Sequence, residues 1–306
     1  MQVKSLLNCG KVLYWSVMLL IMFLFVSVIG CKHETAQETK KIKLVASFYP
    51  MYIMALNVVK DVPDVSVSNL TPPTTGCLHD YTLTTDDMKK LAEARVFIAN
   101  GAGMESFLGR VIAQYPQIKI IKLADGIPLI KDEGEEGDNP HVWVSISLAI
   151  TEVNNFGKYM ERFDPDHADL YSKNTETYVN KLNTLRQKMR AGLAPYKNRK
   201  IITFHDSFPY FAQEFGLEIA SVVEKEPGSE PSARELSKTV DLVRKAGIKT
   251  LFCEPQYPAT AADTIARETG AEVYMLDPAV TGPNDPEAYI NIMENNLEVL
   301  KTALSR

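Results

Sequence analysis

The chain has 306 residues, 45% of them apolar and 23% charged, with a formal net charge of −5. That composition suits one large or two medium globular domains. It gives no ground for nucleic-acid binding, which needs basic patches, and four cysteines are too few for a disulfide scaffold.

The N-terminus reads as a targeting segment. Lys4 and Lys11 precede an apolar run over 12–29, which ends Val28-Ile29-Gly30-Cys31. A basic n-region, a long h-region and small residues at the exit describe a secretory signal. The run is also long enough to span a membrane as an uncleaved anchor. Val-Ile-Gly-Cys resembles the bacterial lipobox, whose cysteine is lipidated and becomes the first residue. Residues 1–30 are therefore read as a lipoprotein signal peptide, Cys31 as the lipidation site and 31–41 as a polar tether. In either case the body of the protein is expected outside the cytoplasm and tied to a membrane. His33 lies in the tether and is given no role.

From Lys43 strands alternate with helix-compatible stretches. The β-rich runs are KLVASF (43–48), VSVSNL (65–70), RVFIAN (95–100) and IKIIKL (118–123). A second set follows at KIITFH (200–205), EIASVV (218–223), TLFCEP (250–255) and EVYMLD (272–277). Several are almost wholly apolar, which indicates parallel strands covered on both faces. Between the two sets lies a helical pattern. Asp164 is placed to cap it and Pro165 to occupy its first turn. Tyr171, Tyr178, Leu182, Leu185, Met189 and Leu193 then form one apolar stripe. Gly192 and Pro195 close the pattern, giving a helix of about 45 Å. The expected fold is α/β, with two lobes that each hold a mostly parallel four-stranded sheet with flanking helices. One long helix (164–195) joins an N-terminal lobe (42–163) to a C-terminal lobe (196–306).

Open α/β sheets bind ligands at the carboxyl ends of their strands. Three of the five histidines fall there or in adjoining loops: His79 after the second strand, His141 after the fourth, and His205 at the end of the fifth. Asp277 ends the last strand. One histidine so placed is commonly a satisfied structural residue; three with a carboxylate favour a metal. Two ligands from each lobe make four, the number that closes a tetrahedral zinc site.

These residues lie in a series of short motifs. They include His79-Asp80-Tyr81, NGAGMESFL (100–108), NPHVW (139–143), HDSFPYF (205–211), CEPQY (253–257) and Asp277-Pro278. Their order and spacing resemble those of the metal-binding lipoproteins of bacterial ABC importers for zinc and manganese, the cluster A-I solute-binding family, of the zinc-uptake protein A type. The resemblance covers essentially the whole mature chain. It implies metal ligands at His79, His141, His205 and Asp277, and a stiff linking helix in place of a hinge. It further implies Zn2+ as the transported ligand with Mn2+ as the alternative, permease and ATPase subunits as partners, and a lipid-anchored monomer on the extracytoplasmic face of the membrane. Three imidazoles and one carboxylate fit zinc better than the oxygen-rich sites that suit manganese. Because the lobes each supply two ligands, metal binding is also expected to hold them together.

The chain departs from the family pattern twice. Leu78 stands where many zinc-type relatives carry an acidic residue. The stretch 131–138, KDEGEEGD, is short and acidic where some relatives have a long histidine-rich loop. It is read as a solvated loop. Glu254 is the runner-up to Asp277 as carboxylate ligand, and Asp206 a partner that orients an imidazole. Tyr81, Trp143 and Tyr210 flank ligands and either wall the site or simply pack. In an oxidising compartment Cys77 and Cys253 have the chemistry to pair, and the sequence leaves the bond open. Cys77 as a ligand is set aside, since no second thiol motif accompanies it. The leading reading is a non-enzymatic capture protein. A zinc-dependent hydrolase is the weaker alternative, since the chain has neither HExxH nor GxSxG. An adhesin role has no residue to argue for it.

Overall fold

The computed structural model describes residues 41–78, 81–105, 108–131, 137–223 and 231–305, apart from the side chain of Arg110. The apolar run 12–29, Cys31, His79 and Asp80 lie outside them. Among the described residues no helix is long and apolar enough to cross a membrane.

All eight expected strands form. β1 (Ile42–Ala46), β2 (Val65–Asn69), β3 (Val96–Ala99) and β4 (Lys119–Lys122) make one sheet in the order β2-β1-β3-β4. β5 (Lys200–Thr203), β6 (Glu218–Val222), β7 (Thr250–Cys253) and β8 (Glu272–Met275) repeat that order as β6-β5-β7-β8. Every pairing is parallel. Strand composition follows position. Central β3 and β7 are buried at every residue. Edge strands β4 and β8 leave Ile120 and Met275 nearly half exposed. In this order the chain reverses direction across the sheet between β1 and β3, and between β5 and β7, so the crevice of each lobe opens at those strands' carboxyl ends.

In the first lobe the helices are α1 (Tyr49–Val58), α2 (Thr85–Glu93), the single turn α3 (Gly109–Ile112) and α4 (Ile146–Phe163). Thr84 and Asp87 form a reciprocal capping box at the start of α2. The long helix α5 (Ala168–Leu193) follows, flanked by 3-10 turns at Pro165–His167 and Ala194–Tyr196. At 26 residues it is about 39 Å long. Asp164 does not cap it. The Asp164 carboxylate instead accepts hydrogen bonds from His167 Nδ1 and the Tyr171 hydroxyl, each at 2.8 Å, so the first turn tightens and α5 starts three residues later than expected. The second lobe adds α6 (Pro209–Phe215), α7 (Ala233–Ala246), α8 (Thr260–Thr269) and the C-terminal α9 (Ala288–Leu304).

All six residues of the α5 stripe are buried, with Thr175 between them. α5 packs on α4 and α1 from the first lobe and on α9 from the second. One apolar core therefore runs through both lobes, from Leu44 and Phe48 past Leu182 and Met189 to Phe211, Phe252 and Leu300. Hydrogen bonds cross the same seam. Tyr49 donates to the Pro283 carbonyl (2.9 Å), Trp143 Nε1 to that of Pro278 (2.8 Å), and Tyr289 to that of Trp143 (2.7 Å). The lobes thus share packing and hydrogen bonds beyond any bond made through an ion.

At Gly157 α4 lies close against Thr175 of α5. A Cβ placed there would lie 2.2 Å from Thr175 Oγ1. Gly157→Ala should destabilise the protein by about 1–3 kcal/mol through overpacking, read as a lower melting temperature, and Thr175→Ala should restore part of the loss. Glu152, on the same helix, is fully buried, and neither of its carboxylate oxygens has a partner among the described residues. Burial, with the Glu105 carboxylate adding to it, pushes the Glu152 carboxyl well above the usual range. A raised carboxyl pKa favours the protonated fold, so its contribution weakens as pH climbs above the unfolded value. Glu152→Gln should therefore be close to neutral near pH 4 and raise the melting temperature near pH 8 by about 2–4 °C, the shift that 1 kcal/mol produces in a body of this size.

Candidate metal centre

The loops at the carboxyl ends of the two sheets meet, and they carry the donors. β5 ends at Thr203, and two residues on stands His205, only 2% exposed. β7 ends at Cys253, and Glu254 follows it into the same crevice, also at 2%. His141 comes from the loop after β4, just ahead of a 3-10 turn at Val142–Val144, and is equally buried. The imidazoles of His141 and His205, one from each lobe, meet edge to face with centroids 4.7 Å apart.

Each imidazole is held by its Nδ1. His141 Nδ1 lies 3.1 Å from Asn139 Oδ1, whose amide is oriented in turn by Nδ2 donating to the Asp206 carbonyl and carboxylate (2.8 and 3.0 Å). His205 Nδ1 lies 3.1 Å from Glu254 Oε1. Both partners are acceptors, so the Nδ1 atoms carry the protons and the Nε2 atoms carry the lone pairs. That is the arrangement by which proteins prepare histidine for a metal. Glu254 also accepts from Ser207 Oγ and from Gln256 Nε2, which fixes the carboxylate on the far side of His205. The Asn100 side-chain amide donates to the Pro140 carbonyl (3.0 Å) and Tyr210 to that of Asn139 (2.7 Å), so the His141 loop is pinned from both lobes.

The expected residues have separate fates. His141 and His205 are brought together. His79 lies outside the described residues. Asp277 stands two residues beyond β8, its backbone fixed by Asn296 and its Oδ1 accepting from Ala279 N at 2.8 Å. It is not within the tight donor group. Burial raises its carboxyl to about 6, with the Glu254 charge adding and the Ala279 N–H opposing. A cation nearby would relieve that uncompensated negative field. Asp206 does orient an imidazole, through Asn139 and across the lobe boundary. Trp143 lies against His141 at 5.2 Å and walls the site. The Tyr81 hydroxyl is spent on Asp87, in the cap of α2. Asn139 and Ser207 were not singled out by sequence reasoning, although both sit within two residues of a chosen histidine.

The second cysteine question has a geometric answer. No disulfide joins Cys77 and Cys253; both carry buried thiols. Cys77 instead faces the histidines. Its Sγ is 3.8 Å from His141 Nε2, and the donor atoms of Cys77, His141 and His205 all lie within 4.8 Å of one another. Burial first, and then the Glu254 charge, push the Cys77 thiol well up. The acidic stretch is pinched at its ends by an antiparallel bridge and an ion pair between Lys131 and Asp138, and residues 132–136 lie outside the described ones.

With this geometry in hand, comparison with known proteins is specific. The chain is 30% identical over 315 residues to the high-affinity zinc uptake system protein ZnuA of Bacillus subtilis, spanning 95% of this chain and 98% of the relative. It is 30% identical over 292 residues to the zinc-binding protein AdcA of Streptococcus pyogenes, where it spans only 56% of the longer relative. The fold superposes on the manganese complex of FpvC from Pseudomonas aeruginosa with a TM-score of 0.78 and 31% identity, over 87% of this chain and 99% of that one. Residues 44–303 match the family described as zinc-uptake complex component A, periplasmic, and the chain belongs to that family of solute-binding proteins.

Proposed function

We propose that the protein is the extracytoplasmic binding component of an ABC importer, which captures a divalent transition metal, zinc in the first place, and passes it to a membrane permease driven by an ATPase subunit. The observation that carries this is the pair of buried imidazoles from two different sheets, each with Nδ1 tied to an oxygen acceptor. In this reading His79, His141, His205 and Asp277 are ligands, residues 42–163 and 196–306 are the metal-binding lobes, and 164–195 is the link between them. Glu254 supports His205 from behind. Nitrogen-rich donors favour zinc over manganese. Capture requires no bond to be made or broken in a substrate, and no catalytic role is assigned to any residue. Cys31 is proposed to carry the lipid that holds a monomeric protein at the membrane.

Calorimetry and thermal melts with zinc and manganese test this on His79→Ala, His141→Ala, His205→Ala and Asp277→Ala. Each histidine variant should lose more than about 100-fold in zinc affinity, beyond what loss of a supporting hydrogen bond costs. Wild type should gain about 4 kcal/mol of stability at a thousandfold excess of zinc over Kd, and the variants correspondingly less. Wild-type affinity in all three histidine variants would overturn the reading. Cys31→Ala should release the protein from the membrane fraction; retention and processing like wild type would exclude the lipid anchor.

A further inference from the structure

The residues within reach of His141 and His205 include a sulfur. Cys77 follows Gly76, whose φ of +82° turns the chain so that Cys77 and Leu78 point inward. The Tyr257 hydroxyl, from the loop after β7, packs against this turn, 3.5 Å from where a Cβ on Gly76 would sit. The segment is thus held against the second lobe, and its thiol faces the imidazoles of both lobes. The Asn139 bond puts the His141 proton on Nδ1, so the thiol S–H is the donor and Nε2 the acceptor across their 3.8 Å separation. An S–H···N pair of this kind has the spacing of a metal bridge. Zinc bonded to sulfur at about 2.3 Å and to nitrogen at about 2.05 Å, at a tetrahedral angle, puts those two atoms about 3.6 Å apart.

We propose that the Cys77 thiolate is itself a ligand of the captured ion, beside His141 and His205, in the tetrahedral position that Asp277, outside the tight donor group, would otherwise fill. The inference rests on the metal-capture reading and deepens it: it names a soft donor that sets which metal is preferred. On binding, the S–H bond is replaced by a sulfur–metal bond and the proton leaves to solvent. The ion takes over both partners of the thiol proton, the sulfur and His141 Nε2. A thiolate selects zinc, and cadmium or cobalt as its surrogates, against manganese, which prefers oxygen. Ordinary packing of a small buried side chain does not account for the geometry, because the sulfur is directed at a lone-pair nitrogen and grouped with a second histidine.

Cobalt(II) titration of the full chain, followed by absorption spectroscopy, reads this directly. Wild type should show an intense near-ultraviolet thiolate-to-cobalt charge-transfer band along with the visible ligand-field bands. The band should vanish in Cys77→Ser and Cys77→Ala, and persist in Cys253→Ser. Zinc affinity should fall at least about tenfold in Cys77→Ser, with manganese affinity unchanged or higher, so that the preference between them narrows. Cobalt bound with ligand-field bands and no charge-transfer band, or with a band indifferent to Cys77→Ser, would overturn the sulfur ligand and leave metal capture standing. Failure of wild type to bind cobalt or zinc at all would overturn both. The wild-type spectrum keeps the test decisive even if a Cys77 variant fails to fold.

Discussion

A neutral imidazole binds a metal only through the nitrogen that has no proton, and it must aim that nitrogen before the ion arrives. In the proposed reading the hydrogen bonds around His141 and His205 serve this constraint. One Nδ1 is held by Asn139, which is fixed in turn by Asp206 of the opposite lobe. The other is held by Glu254, which Ser207 and Gln256 keep in place. Burying these groups is costly unless each polar atom is paired. The pairing therefore offsets desolvation and aims the rings in a single arrangement. It also explains why Glu254 stands behind His205: a carboxylate accepting three hydrogen bonds has little left to offer an ion directly.

The same constraint accounts for the architecture above it. The two sheets share one strand order, and in both the crevice opens between the first and third strands of the set. In the second lobe those strands deliver His205 and Glu254 as neighbours. In the first lobe the equivalent ends carry Ser47 and Asn100. Ser47 donates to Glu105 at 2.8 Å, and Asn100 anchors the Pro140 carbonyl just ahead of His141. One lobe thus uses its crevice for a donor and its support. The other uses it to pin the loop that carries the donor.

Much of this was legible in the sequence, and the places where it was not have physical causes. The eight strands announced themselves through short β-rich runs, and the stripe on α5 through helical spacing. Its first turn was misread because Asp164 has local competitors for its carboxylate, His167 and Tyr171, which propensity does not see. His141 and His205 could be chosen because histidines at strand ends are few. The roles of Asn139 and Ser207 depend on contacts across the lobe boundary, and no spacing within one segment reveals those. The placement of Cys77 beside two histidines is hidden from the sequence for a related reason. A search for a second thiol motif looks along the chain, whereas its companions, His141 and His205, come from 64 residues away and from the other lobe.

The continuous core then constrains how the site can discriminate between ions. Rotating one lobe away from the other would break the bonds of Tyr49, Trp143, Tyr289 and Tyr210 across the seam. At roughly 0.5–1.5 kcal/mol net each, these alone oppose opening by about 2–6 kcal/mol, before any apolar surface is exposed. α5 adds stiffness, since its stripe is buried and it packs against helices of both lobes. A protein joined in this way does not gain selectivity by closing around one ion more completely than around another. The discrimination has to reside in the donor atoms and in how firmly they are held. In the proposed reading that places the weight on the supports of the two imidazoles and on the thiol of Cys77 beside them.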